Sequence, residues 1–316
     1  MKTQHLVDPQ LLPLLELFPT MQFSVELLPE IRARAFPAPA DPRAAAVAME
    51  TQMVSGPAGA PDVPIFIYRP REKSGPLPCI FHIHGGGYVV GSAATMEPFH
   101  RPLALDADCC IVSVDYRLAP ETRYPGAIED CYAALAWVHK QAAAIGVDAR
   151  RIGVMGESAG GGLAAALALL ARDRREYKLA FQHLIYPMLD DRTCVSASPH
   201  PFTGEFIWTP HNNKFGWSSL LGVPPGSDGV SPYAAPARAA DLARLPPTFI
   251  STGALDLFLE EDIDYAQRLA RHGVPVELHV YPGAYHAFDL EPNAQIAVNA
   301  RRDSVAALRR FMHEPG

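Results

Sequence analysis

The sequence has too little positive charge for a protein that binds nucleic acid. Its 316 residues hold 27 lysines and arginines against 34 aspartates and glutamates, a formal net charge of -7 at pH 7. A phosphate backbone or an anionic bilayer surface attracts basic patches, and this acidic balance disfavours both. We therefore expect neither nucleic acid nor a membrane among the partners.

Long hydrophobic runs and paired cysteine motifs are also missing. The longest apolar stretch, residues 163–171, is far shorter than the roughly 20 residues that span a bilayer. Residues 1–9 lack the apolar core of a secretory leader. The five cysteines are odd in number and contain no CxxC pair, which is typical of reduced, buried thiols. These absences predict a cytoplasmic protein.

From residue 46 onward, short apolar segments alternate with segments of helical periodicity. The pattern favours helices at 128–141, 160–172, 260–271 and 295–311, and strands at 63–68, 79–84, 110–116, 151–155, 181–186, 248–251 and 275–281. Such alternation predicts a mostly parallel sheet flanked by helices. The active site of such a sheet lies beyond the carboxyl ends of its strands.

Two regions do not follow this alternation. Residues 6–31 have helix-like apolar spacing that four prolines interrupt, and residues 36–43 form a Pro/Ala-rich stretch that we interpret as a linker. Residues 191–246 are long for a loop and rich in proline and aromatic side chains. Loops of this length are usually functional, and we interpret the first half as part of a cap.

The strongest chemical signal is Gly156-Glu157-Ser158-Ala159-Gly160, between a predicted strand and a predicted helix. This context is the one in which a Gly-x-Ser-x-Gly turn presents a nucleophilic serine. A phosphate-binding loop is the alternative, but its Gly-Lys-Ser/Thr ending is missing. We predict that Ser158 is a nucleophile.

Three consecutive glycines follow another predicted strand, in His84-Gly85-Gly86-Gly87. Bare amides at such a turn can bind the negative oxygen of a tetrahedral intermediate. We predict an oxyanion hole made by the N–H groups of Gly86, Gly87 and Ala159, with His84 and Gly85 in support.

A serine hydroxyl needs a base, and the base needs a partner that orients it. His286 follows the last predicted strand, and Asp256 follows the one before it, in the chain order Ser, Asp, His of α/β-hydrolases. Asp262 and Asp264 compete with Asp256, but they fall on the next helix, where acidic residues favour the helix dipole. His82 and His84 lack a third ligand, so we expect no metal.

Further residues are assigned to the surroundings of the site. Glu157 either tethers nearby loops or occupies a solvated turn, and we favour the supporting role. Tyr88, Phe206, Trp208 and Phe215 are predicted to line the substrate pocket, although the sequence does not separate lining from cap core for Phe206 and Trp208.

Taken together, these motifs resemble those of the bacterial hormone-sensitive-lipase-like esterases, the family IV carboxylesterases. The resemblance extends over residues 60–290 and rests on the segment 84–88, the segment 115–121, the serine turn, and the loops of Asp256 and His286. Two positions depart from the pattern: Glu157 stands where many relatives have Asp, and Gly162 where many have Asn.

The resemblance implies an α/β-hydrolase fold with a mostly parallel eight-stranded sheet and a small helical cap. It predicts cap helices and linker in residues 1–45, a catalytic domain in 46–190 and 226–316, and a cap insertion in 191–225. The expected activity is hydrolysis of short- and medium-chain acyl esters through an acyl-enzyme, without a cofactor, in a chain that pairs as a homodimer.

Two alternatives remain open. The plant gibberellin receptor resembles this family, so a catalytically inactive receptor for a small ligand is one, although all three triad residues are retained here. Amide, thioester or lactone hydrolysis by the same residues is the other.

Overall fold

The computed structural model describes residues 2–18, 21–34 and 41–313. One sheet organises the chain, and its strands are β1 (Val47–Val54), β2 (Val63–Pro70), β3 (Leu77–Ile83), β4 (Cys110–Val114), β5 (Val147–Glu157), β6 (Gln182–Ile185), β7 (Thr248–Gly253) and β8 (Val276–Tyr281). Their order is β1-β2-β4-β3-β5-β6-β7-β8. β2 is antiparallel to both its neighbours, and all other pairs are parallel.

Helices precede the sheet, connect its strands and follow it. They are α1 (Leu12–Leu17), α2 (Leu28–Ala33), α3 (Glu97–Asp106), α4 (Gly126–Gln141), α5 (Ala159–Arg174), α6 (Pro210–Leu221), α7 (Leu259–Arg271) and α8 (Gln295–His313). None of the helices in the described ranges is long and apolar enough to cross a bilayer.

The core lies on both faces of the sheet. Every residue of β3 is buried, as expected for a central strand of a parallel sheet that is covered on both sides. Side chains of α4, α5 and α7 pack on one face, and those of α3 and α8 pack on the other. The sheet therefore holds its strand ends rigidly, and the loops at the carboxyl ends can carry a site.

The seven strands and four helices predicted from the sequence are all present, and the eight-stranded α/β-hydrolase sheet is confirmed. Sequence patterns missed β1, α3 and α6. Of the predicted linker at 36–43, residues 36–40 lie outside the described residues, and Pro42 begins a short 3₁₀ helix.

Residues 21–34 contact residues 191–225. The Asn212 side chain accepts a hydrogen bond from Phe23 N at 2.9 Å and donates one to the Met21 carbonyl at 2.7 Å. Asn212 is fully buried, so this amide joins α6 to the segment that leads into α2.

Candidate active site

Ser158 occupies a strained turn between β5 and α5. Its φ of 55° and ψ of -121° are unfavourable for a residue with a side chain, at a cost of order 1–3 kcal/mol. The turn also needs a glycine at position 160, since a methyl group there would lie 2.0 Å from the Ile83 carbonyl oxygen. Ser158 N donates to the Ile185 carbonyl at 2.9 Å, which ties the turn to β6.

His286 and Asp256 meet Ser158 in one line of hydrogen bonds. His286 Nε2 lies 2.9 Å from Ser158 Oγ, and His286 Nδ1 lies 2.8 Å from Asp256 Oδ2. Because a carboxylate accepts, Nδ1 carries the proton and Nε2 is free to accept from the serine hydroxyl. Phe258 N donates to the other carboxylate oxygen at 3.0 Å. The three side chains are buried, so water competes little with these bonds.

The glycine loop, residues 84–87, lies beside the serine turn, residues 156–160. A methyl group on Gly85 would be 2.9 Å from the Glu157 carbonyl oxygen and 3.5 Å from Ser158 Cβ. Gly86 and Gly87 have φ values of 117° and 60°, which a residue with a side chain rarely adopts. Among the hydrogen bonds of the described residues, none uses the N–H of Gly86, Gly87 or Ala159 as donor. These amides are therefore available to an anionic oxygen.

The His84 side chain supports this loop by a hydrogen bond to its backbone. Its Nδ1 donates to the Gly85 carbonyl at 2.8 Å, and its ring stacks on Tyr116 with centroids 4.3 Å apart. The Tyr116 hydroxyl donates to the His84 carbonyl at 2.9 Å. Burial lowers the pKa of His84 to about 4, because the charged imidazole would lose its hydration.

Glu157 is tethered rather than solvated. Both of its carboxylate oxygens lie within 3.0 Å of His82 Nε2, while His82 Nδ1 lies 3.1 Å from Ser113 Oγ. These bonds link the serine turn to β3 and β4. They also occupy both nitrogens of His82 with protein partners.

The aromatic residues predicted to line the pocket occupy different positions. Trp208 reaches the glycine loop, where a methyl group on Gly87 would lie 2.1 Å from its Cη2, and its ring centroid is 6.3 Å from that of His286. Tyr88 packs on Trp217, and its hydroxyl donates to the Met188 carbonyl at 3.2 Å.

Phe206 and Phe215 pack against other aromatic side chains. Phe206 packs against Tyr285 with ring centroids 5.6 Å apart, and Phe215 packs edge-on against Phe23 at 6.4 Å. Phe206 is buried, whereas Phe215 is partly buried. Of the predicted set, Trp208 contacts both the glycine loop and the His286 ring.

Sequence reasoning missed Tyr186. Its ring lies edge-on to His286 at 4.7 Å, and its hydroxyl donates to Asp289 at 2.7 Å. Burial raises the pKa of Asp289 above its usual range. The signal was present, because Tyr186 directly follows β6 and so lies at the carboxyl end of a parallel strand.

The chain is similar to known esterases. A family model of the alpha/beta hydrolase fold matches residues 80–290. Carboxylesterase NlhH of Mycobacterium tuberculosis is 35% identical over 312 residues, which cover 97% of each chain. Ethyl acetate hydrolase of Pseudomonas putida is 33% identical over 229 residues, which cover 72% of this chain and 71% of the relative.

A solved structure agrees with these similarities. A bacterial heroin esterase matches with a TM-score of 0.89 at 37% identity, over 99% of this chain and 100% of that one. The chain therefore belongs to the hormone-sensitive-lipase-like family of α/β-hydrolases and is a carboxylic-ester hydrolase.

Proposed function

We propose that Ser158, His286 and Asp256 are the catalytic triad of this carboxylesterase and that Gly86, Gly87 and Ala159 form its oxyanion hole. The observation that carries the proposal is the continuous line from Asp256 through His286 to Ser158, with bonds of 2.8 and 2.9 Å. The neighbouring glycine loop supports it, because its amides have no protein acceptor among the described residues.

The reaction then proceeds in two halves. His286 Nε2 takes the hydroxyl proton as Ser158 Oγ bonds to the ester carbonyl carbon, and the carbonyl oxygen becomes negative beside the free amides. The C–O bond to the alcohol breaks, and His286 returns the proton to the departing alkoxide. Water repeats the cycle on the acyl-enzyme and releases the acid. Asp256 holds the tautomer and stabilises the imidazolium throughout.

We propose short acyl groups of roughly two to eight carbons as substrates, because a closed apolar pocket discriminates by volume. The support is the contact of Trp208 with Gly87, which brings a large ring against the glycine loop. The name of the Pseudomonas putida relative, ethyl acetate hydrolase, is consistent with a small ester.

The test is Ser158→Ala, assayed with p-nitrophenyl butyrate, with the exposed Ser198→Ala as the matched control. We expect a loss of at least about 10³-fold in kcat for Ser158→Ala and none for the control. An organophosphate ester should label one site per chain, and the label should map to Ser158 by mass spectrometry. Turnover that survives in Ser158→Ala, or labelling elsewhere, would refute the assignment.

The same triad could cleave an amide, a thioester or a lactone. A panel of butyryl derivatives with matched leaving groups would separate these activities, and we expect the oxygen ester to be the fastest. A faster thioester or amide would identify a different substrate class.

We also propose that residues 1–45 and 191–225 form a cap over a catalytic domain made of 46–190 and 226–316. The Asn212 amide, which joins residues 21–23 to α6, supports this division. Hydrogen exchange should protect residues 21–34 and 191–225 together when an organophosphate occupies the site, whereas independent protection would argue against one cap.

Two further expectations concern the whole protein. We propose a homodimer that pairs along the edge strand β8, where Leu278 and Val280 are exposed. Sedimentation at micromolar concentration tests this, and a monomer would refute it.

We propose a cytoplasmic location because all five cysteines are free thiols. Cell fractionation followed by activity measurement checks this.

A further inference from the structure

The loop that carries Gly86 and Gly87 has a strained backbone that needs contacts with its surroundings to keep its conformation. Gly86, Gly87 and Tyr88 have consecutive φ values of 117°, 60° and 68°. Tyr88 is not a glycine, so this conformation persists only where the surroundings impose it. The contacts that impose it decide where the two glycine amides lie.

Most of these contacts come from the catalytic domain itself. Val89 N and Val90 N donate to the Gly86 carbonyl at 3.1 and 3.0 Å, which closes the turn. Ala119 N donates to the Tyr88 carbonyl at 2.9 Å, and the Tyr88 hydroxyl donates to Met188. The Val89 carbonyl is the next acceptor along the loop.

That acceptor is bound by an arginine from the N-terminal segment. Arg32, on α2, donates from Nε to the Val89 carbonyl at 2.8 Å and from Nη2 to the Ala119 carbonyl at 3.0 Å. One guanidinium therefore bridges the glycine loop and the segment that already supports Tyr88. The planar fork of arginine suits this task, because its donors have fixed directions.

Two further contacts keep Arg32 in place. Glu121 accepts from both Nη atoms at 2.8 and 2.9 Å, and this pairing lowers the pKa of Glu121. Four residues before Arg32, and so on the same face of α2, Leu28 packs against Val89 and Ala119 in a small buried cluster. Both the charge and the apolar face of α2 are thus directed at the glycine loop.

We propose that Arg32 is a positioning residue for the glycine loop, so that docking of α2 through this side chain completes the site for catalysis. This inference rests on the proposed role of Gly86 and Gly87. The enzyme without the Arg32 guanidinium keeps its triad but loses the alignment of its oxyanion donors.

The experiment compares Arg32→Ala and Arg32→Lys with Arg34→Ala. Arg34 lies just beyond the same helix, is half exposed and pairs with Glu30, so its variant is the matched control. We measure kcat and KM for p-nitrophenyl butyrate, and the inhibition constant of an alkyl trifluoromethyl ketone, whose adduct with serine carries an oxyanion. Stoichiometric organophosphate labelling confirms that each variant is folded with an intact nucleophile.

We expect kcat to fall about 10- to 100-fold in Arg32→Ala, less than the 10²- to 10³-fold loss when an oxyanion donor itself is removed. The ketone should bind more weakly by a similar factor, KM should change little, and Arg32→Lys should be intermediate because it keeps the charge without the fork. Arg34→Ala should match the wild type.

A change in KM or stability alone, or a kcat loss without weaker ketone binding, would overturn the proposal. If Arg32→Ala does not fold, Arg32→Lys decides by the same two measurements. Failure of the proposed function would look different, since Ser158→Ala would then retain activity whatever the Arg32 variants do.

Discussion

Replacement of Trp208 by leucine should extend the range of acyl chains. Trp208 is 5% exposed, its Nε1 donates to Asn213 Oδ1 at 3.1 Å, and its ring packs edge-on against Phe23 at 5.6 Å. Its other edge touches Gly87 so closely that a methyl group there would lie 2.1 Å from Cη2. If the acyl carbonyl binds to the Gly87 amide, the chain beyond it meets this ring.

The size of the effect follows from the burial of methylene groups. Each buried CH₂ contributes about 0.8 kcal/mol, which is roughly a fourfold change in kcat/KM at 25 °C. If Trp208→Leu admits one or two more methylenes, the hexanoate-to-acetate ratio of kcat/KM should rise about 4- to 16-fold. The variant should also lose roughly 2–4 kcal/mol in free energy of unfolding, because a large buried ring is removed.

The assay is kcat/KM for p-nitrophenyl acetate, butyrate, hexanoate and octanoate, with urea unfolding of the same preparations. Trp137→Leu is the matched control, because Trp137 is a partly buried tryptophan on α4. It should cost stability and leave the chain-length ratio unchanged. A folded Trp208→Leu enzyme with the wild-type ratio would refute the inference that Trp208 limits the length of the acyl chain.

Two other predictions concern stability. Tyr285→Phe should lower the free energy of unfolding, measured in urea, by about 1–3 kcal/mol, because the buried Tyr285 hydroxyl donates to the Leu11 carbonyl at 2.7 Å. Tyr233→Phe is the control with little expected change, because the Tyr233 hydroxyl donates to Asp173 in an exposed contact. His183→Gln should make the protein less sensitive to acid. Burial lowers the pKa of His183 to about 3, so the unfolded chain binds a proton at a higher pH than the folded chain does. The free energy of unfolding of the wild type therefore falls as the pH drops from about 6.5 toward 3, by an amount on the order of 4 kcal/mol. Equal pH profiles of unfolding for His183→Gln and the wild type would contradict that reasoning.

The strands that sequence analysis found are those whose burial leaves a pattern. β3 and β4 are buried at every position and read as apolar runs. β1 is an edge strand whose middle residues, Met49 to Thr51, are exposed, so its sequence shows neither an apolar run nor regular alternation. Its place in the sheet comes from pairing with β2 along its whole length.

The two helices that the sequence patterns missed, α3 and α6, had weak propensity for a physical reason. α3 contains Pro102 in its interior, and α6 includes asparagine, glycine and serine residues that disfavour helices in isolation. Burial of Asn212 and Trp217 stabilises α6 in the folded chain. A signal was nevertheless available, since Thr209 caps the helix and Pro210 occupies its first turn.

The sequence by itself determined where the serine turn and the glycine loop lie and predicted the chemistry proposed for them, because both depend on local backbone geometry that only a few residue types permit. It also predicted Asp256 and His286 as partners of Ser158, through chain order and their positions after strands. Only the tertiary structure decided that a histidine 128 residues from Ser158 reaches it, since the strand order of the sheet brings those loops together. The same holds for Trp208, which the sequence did not separate from cap core, and for Arg32, since their contacts with the site depend on packing between distant segments.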